Sequence, residues 1–213
     1  GTDANSNPFI PTKARQYEVG IKYQPASFDA LFTLSAFDIR QNNVLAPGAI
    51  PGLSVQQGQI HSRGIEFEAR GNVSSNLELI GAISLLDTEV SESTDTSIIG
   101  NRPQAVPRYY GSLWANYSFD YAALEGLTVG GGVRFVGSSY ADDLNKVKAD
   151  GYALLDAAVK YDFGVKNPRF KGLEATLNVT NLLNKEYYSS CSSNYYCQYG
   201  NGRTVIAGLR YKW

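Results

Sequence analysis

The sequence predicts an all-β protein whose strands form an antiparallel barrel wall, apolar on one face and polar on the other. Three observations predict it. Strand-like segments alternate apolar and polar residues with a period of two, from near the start of the chain to its last residue. The connections between them alternate between short and long. Aromatic residues gather on the apolar face near the short connections. The 213 residues include 15 Tyr and 21 Gly, with no Met and one His. Such a composition suits strands and tight turns better than helices.

Charge and hydropathy remove other classes. A net charge of -1 and a pI near 5.9 give no basic surface for nucleic acid. No apolar run reaches the roughly 18 to 20 residues that a membrane-spanning helix needs. That leaves barrels untouched, because alternating strands have unremarkable mean hydropathy. The start lacks the charged-then-apolar pattern of a secretory leader. An outer-membrane protein requires one, so the expectation is a processed start or a piece of a longer chain.

Residues 1–13 read as loop and 14–213 as strands, in nine segments. The first sets Tyr17, Val19, Ile21 and Tyr23 against Gln16, Glu18, Gly20 and Lys22. The second, Phe28 to Arg40, is apolar on both parities and its facing stays open. The third sets Ile65, Phe67 and Ala69 against Glu66, Glu68 and Arg70, and the fourth aligns Leu77, Leu79, Ile83 and Leu85. The fifth places Leu113, Ala115, Tyr117 and Phe119 opposite Trp114 and Asn116. The sixth aligns Leu127, Val129, Val133 and Phe135; the seventh aligns Leu155, Ala157, Val159, Tyr161 and Phe163. The eighth aligns Leu173, Ala175, Leu177 and Val179, and the ninth aligns Val205, Ala207, Leu209, Tyr211 and Trp213.

Gln24–Ser27, Gly71–Asn76 and Asp120–Gly126 are short connections and Gly164–Lys171 is moderate. The intervening ones, about Gln41–Gly58, Asp87–Pro107, Ser138–Asp150 and Glu186–Gly202, are longer. Short turns at one end and long loops at the other mark outer-membrane barrels, with turns periplasmic and loops outside. Tyr23, Tyr117, Phe119, Tyr161, Phe163, Tyr211 and Trp213 lie at the short-turn ends, as an interfacial girdle of rings would. Nine strands leave two open edges, which lipid does not tolerate, and bacterial barrels have even strand counts. Further strands are therefore expected before Gly1.

The stretch Asn178-Val-Thr-Asn-Leu-Leu-Asn-Lys-Glu-Tyr-Tyr188, with Gly202-Arg-Thr-Val and a terminal aromatic, resembles the C-terminal end of TonB-dependent outer-membrane receptors. His61-Ser-Arg-Gly-Ile-Glu-Phe-Glu68, Val106-Pro-Arg108 and Ser112-Leu-Trp-Ala-Asn-Tyr117 look like the preceding strands of that family, in order. The resemblance covers the chain from about Ala14. A Cys-x5-Cys in the last long loop looks most like ferrichrome-type hydroxamate siderophore receptors. The resemblance implies a Gram-negative outer-membrane barrel of 22 strands. This chain would supply the last nine, and the plug domain would lie outside it. It implies a ferric siderophore as the transported ligand, with no cofactor, no bound metal and no enzymatic activity. The implied partners are the TonB complex, the barrel-assembly machinery, and outer-membrane lipid and lipopolysaccharide.

Several residues are candidates within that frame. Cys191 and Cys197, the only cysteines, are expected to pair in an oxidising location, and so short a ring contributes about 2 kcal/mol. Tyr195, Tyr196 and Tyr199 are candidate ligand contacts, Tyr199 foremost; the other reading is that they pack the loop. Trp213 and Tyr211 form the candidate assembly signal, with interfacial anchoring as a compatible role. The long loops hold few unbalanced cations, which favours a near-neutral ferric hydroxamate over an anionic catecholate. Glu66 and Glu68 read as wall ion pairs with Arg70, Arg134 or Lys160, and His61 alone makes no metal site. The competing readings are a passive porin or adhesin, a receptor for a catecholate siderophore, and a soluble sugar-binding or hydrolytic β-domain.

Overall fold

The computed structural model describes residues 8–47, 54–193 and 196–213. Nine long strands make the wall. They are β1 (Lys13–Tyr23), β2 (Ala30–Pro47), β3 (Ser54–Asn72), β4 (Leu77–Glu92), β5 (Tyr109–Ser118), β6 (Leu127–Val136), β9 (Tyr152–Asp162), β10 (Leu173–Thr180) and β13 (Thr204–Tyr211). Two small hairpins interrupt the numbering, β7 (Ser139–Tyr140) with β8 (Lys148–Ala149), and β11 (Tyr188–Ser193) with β12 (Tyr196–Tyr199). Each wall strand pairs antiparallel with the next wall strand, giving one nine-stranded meander with β1 and β13 at its edges. All nine sequence segments are strands.

The register fixes which side chains share a face. Ile21, Leu34, Phe67 and Ile83 form one row across four strands, and Tyr161, Ala175 and Leu209 another. Directly paired residues point the same way, so these rows make one continuous apolar surface. It is exposed: Leu113 is 53% and Leu209 73% accessible. A soluble sheet would cover such an area, whereas a membrane barrel presents it to lipid. The same register settles β2, whose pattern was ambiguous. Phe32 and Leu34 face outward beside Tyr23 and Ile21, while Leu31 and Phe37 face the lumen.

The lumen face is polar and tightly seated. Trp114 lies flat over Gly130 and Gly132, where an added Cβ would fall within 3 Å of the indole. Its Nε1 donates to Asn116 Oδ1 at 2.6 Å, and Asn116 Nδ2 donates to Glu78 Oε2 at 2.9 Å. Arg70 closes the chain, donating through Nε and Nη2 to Glu78 Oε1. The lumen ion pairs are therefore Arg70–Glu78 and Arg134–Asp156, not pairs of Glu66 and Glu68 with Arg70, Arg134 or Lys160. The reason is diagonal geometry. Arg70 lies opposite Ile80 and reaches the carboxylate two residues away, and Arg134 likewise passes Leu154 to reach Asp156. Glu66 accepts a bond from Ser84 Oγ instead.

The turn end is compact and aromatic. Tyr117 and Phe119 meet edge to face at 5.0 Å between centroids, and Tyr161 and Phe163 at 4.8 Å. The moderate connection after β9 is a helical turn, Phe163–Lys166, followed by a 3-10 turn, Pro168–Phe170. Asp162 caps the first and Asn167 the second through their side-chain oxygens.

The loop end departs from expectation. Gln41–Gly58 reads as a long loop, yet β2 continues to Pro47 and β3 begins at Ser54. At 18 and 19 residues these strands are about 60 Å long, well beyond the apolar band of about 25 Å. Above that band the outward positions become Asp38, Arg40 and Asn42. With the outward face polar there, the apolar-out alternation that identifies a strand disappears from the sequence.

Candidate functional site

The loop end gathers the candidate residues. One buried asparagine, Asn181, ties the segment after β10 to the start of β13. It adopts φ 52°, a left-handed conformation that Asn accepts more readily than most residues. Its Nδ2 donates to the Lys185 carbonyl at 2.8 Å and the Asn201 carbonyl at 3.1 Å, and its Oδ1 accepts from the Lys185 amide at 2.8 Å. The Asn181 amide donates to Asp156 Oδ1 at 2.7 Å, and Asp156 holds Arg134 through its other oxygen at 2.6 Å. Asn184, also at positive φ, accepts from the Arg203 amide at 2.8 Å. The Asn-Leu-Leu-Asn run is thus a knot that launches the last loop from a fixed point on the lumen wall.

That loop is a hairpin, β11–β12, closed by the Cys191–Cys197 disulfide. Tyr188 and Tyr199 pair across it with ring centroids 4.8 Å apart and hydroxyls 3.3 Å apart. The bond to the Tyr188 hydroxyl raises the Tyr199 phenol above its ordinary pKa. Beside them Tyr187 and Tyr152 meet at a tilt of 43° with ring centroids 4.4 Å apart. The Tyr187 ring rests on Gly200, where a Cβ would fall inside it.

A cleft of about 550 Å³ opens between this hairpin and β8, lined by Tyr152, Tyr187, Tyr188, Tyr199, Lys148 and Lys185. Asp150 and Glu186 also line it, so the two lysines face two carboxylates. The cleft can stack flat or greasy ligand surfaces and hydrogen-bond through phenols, without a strong field of either sign. Tyr199 sits in it as expected. Tyr196 is 61% exposed and does not line it. Tyr195 lies outside the described residues. Tyr152 and Tyr187 were not singled out from sequence. The available signal was parity: Tyr152 falls on the lumen register of β9 with Leu154 and Asp156.

The neighbouring rim is locked. The Arg102 amide donates to Asn145 Oδ1 at 2.9 Å, and Asn145 Nδ2 returns to the Arg102 carbonyl at 2.7 Å. Asn101 Nδ2 donates to the Asp143 carbonyl and the Ala105 amide to the Tyr140 carbonyl. Asp142 folds the second loop by accepting from the Lys146 and Val147 amides. Arg102 is buried, which with the nearby Arg108 pulls its pKa down; one nitrogen lies 3.5 Å from Asp87.

Known proteins place this geometry. The family model described as TonB dependent receptor-like, beta-barrel matches residues 1–182. The chain is 37% identical over 210 residues to the ferrichrome outer membrane transporter/phage receptor of Escherichia coli (strain K12), covering 98% of this chain and 28% of that protein. It is 36% identical over 210 residues to the ferrioxamine receptor of Yersinia enterocolitica, covering 98% and 29%. Among solved structures, the ferric preacinetobactin receptor BauA of Acinetobacter baumannii superposes with a TM-score of 0.77 at 28% identity, over 99% of this chain and 31% of that one. The chain spans under a third of the length of these relatives. It belongs to the TonB-dependent receptor β-barrel family.

Proposed function

We propose that residues 1–213 are the C-terminal wall of an outer-membrane receptor that takes up a ferric siderophore of hydroxamate type, driven by the TonB complex. The loop end faces the medium and the turn end the periplasm. Transport moves the chelate unchanged, so the ligand needs no catalytic residue and the iron no protein ligand.

The observation that carries the choice of ligand is the balanced, phenol-rich cleft. A ferric tris-catecholate is strongly anionic and would call for a surplus of Arg or Lys. Lys148 and Lys185 are matched by Asp150 and Glu186, whereas a ferric hydroxamate is nearly neutral and needs shape, stacking and phenolic hydrogen bonds. The likeness to ferrichrome and ferrioxamine receptors points the same way. Tyr199, with Tyr152 and Tyr187 beside it, contacts the chelate; Tyr195 and Tyr196 extend the same loop. Trp213, fully exposed beyond β13, and Tyr211 end the wall with the aromatic signal for the barrel-assembly machinery.

The deciding experiment is titration of the intact receptor with ferrichrome, ferrioxamine B and ferric enterobactin. A hydroxamate should bind most tightly. Preference for the catecholate overturns the ligand class, and binding of neither hydroxamate overturns the choice of ligand while leaving the chain in its receptor family.

A further inference from the structure

One buried charge lacks a full partner in the fold. The Arg102 side chain is 7% exposed. Its Nε and Nη1 are shut off from solvent and, among the described residues, donate to nothing. Nη2 reaches Asp87 Oδ1 only at 3.5 Å, the far limit of a hydrogen bond. The other oxygen of Asp87 is taken by Arg63, at 3.0 and 2.8 Å. Arg108, a second cation close by, adds repulsion. Atoms of this chain do the burying, so nothing outside residues 1–213 reaches those two nitrogens while the loops stay in place, and no water fits beside them. The main chain at the same point is held firmly. Arg102 exchanges two bonds with Asn145, and bonds from Asn101 and Gln104 to Asp143 and from Ala105 to Tyr140 complete the clasp between residues 93–108 and 138–151. Each of these five bonds contributes modestly, whereas a guanidinium buried without full pairing opposes folding by as much as several of them. The lumen arginines show no such conflict, since Arg70 and Arg134 are both paired.

We propose that Arg102 is a built-in release for this clasp: its unpaired guanidinium keeps the two loops poised to part. Closed, the clasp gains its five bonds and leaves Arg102 dry and unsatisfied. Parted, it loses them and gives the guanidinium water. The two states therefore differ in what Arg102 touches, which is the differential free energy that a switch requires. The release bears on the tyrosine cleft because Lys148 and Asp150 of the second loop line it. Once the clasp parts, that loop is no longer anchored to the first, and the side of the cleft it forms can move. This link rests on reading the cleft as the ligand site; the release itself does not.

The test is amide exchange of the ligand-free, full-length receptor, read by mass spectrometry on peptides from residues 93–108 and 138–151. Arg102→Met keeps the length of the side chain and removes its charge. It should slow exchange in both loops by about tenfold or more while peptides from β3 and β10 stay unchanged. Arg102→Lys, which keeps a charge in place, should not slow it. Unchanged or faster exchange in Arg102→Met overturns the proposal, because the guanidinium is then costless or stabilising where it lies. Equal slowing by Met and Lys also overturns it, by assigning the effect to shape. Wild type supplies a check that needs no variant: the Arg102 and Ala105 amides, although hydrogen-bonded, should exchange faster than the Asn181 amide, and equal protection overturns the poise. The rate of ferrichrome capture by the same variants tests the link to the cleft. Capture should slow in Arg102→Met; slowed exchange with unchanged capture overturns the link and leaves the release standing.

Discussion

Asn181→Ala is the most informative single change. Asn181 is 2% exposed and makes three side-chain hydrogen bonds, two to Lys185 and one to Asn201. Each is worth about 1 kcal/mol net, and Ala at positive φ costs about 1 kcal/mol more. The sum is about 4 kcal/mol, charged against the fixed start of the last loop and not against the membrane wall. Opening of residues 182–203 should become easier by that amount, raising amide exchange of the β11–β12 hairpin by about a hundredfold or more. Exchange mass spectrometry on the intact receptor measures this, with peptides from β5 and β6 as the unchanged reference. Asn181→Gly separates the two causes. It relieves the backbone and keeps the lost bonds, so it should recover about 1 kcal/mol of the effect. Ligand affinity should fall in the same order, Ala below Gly below wild type. Hairpin protection within about threefold of wild type in Asn181→Ala would show that the knot does not hold the loop, since a loss of this size cannot stay hidden.

Other consequences are simpler to check. Cys191→Ser/Cys197→Ser should loosen the hairpin by about 2 kcal/mol and weaken siderophore binding while barrel yield is kept, as should reduction of the wild type by a thiol. Tyr199→Ala should weaken binding without lowering yield, and Tyr199→Phe, which keeps the ring on Tyr188, should bind nearly as wild type; unchanged affinity in the Ala variant returns Tyr199 to packing. Gly132→Val should do the reverse and lower the yield of folded barrel, because its side chain would displace Trp114 from the lumen wall. Heat-modified migration on gels reads that outcome directly.

The wall was legible in the sequence because lipid imposes a simple rule on it. Every second residue of β5, β6, β9, β10 and β13 must be apolar, so parity alone assigns face and order. The rule stops where the lipid stops. Val44 and Leu45 belong to β2, but the outward residues beside them are polar and no alternation remains to mark a strand. Lumen ion pairs were placed wrongly for a related reason. Residue spacing along β3 groups Glu66, Glu68 and Arg70, whereas partners are chosen across strands, on a diagonal that only register reveals. Of the cleft, the cysteines and Tyr199 announce themselves by clustering. Tyr152 is forty-odd positions upstream of Tyr199, and its place beside the hairpin depends on β9 and β10 being neighbours.

The clasp between the loops of residues 93–108 and 138–151 has a mechanical consequence. The two segments are separated in sequence by the whole β5–β6 hairpin, yet Asn145, Asp143 and Tyr140 hold Asn101 to Ala105 through backbone as well as side-chain bonds. Held this way they act as one flap, so that displacing either segment displaces the other. A tag inserted near Asn145 would unseat both loops at once, whereas one inserted at Ser93, ahead of the clasp, would leave the flap whole.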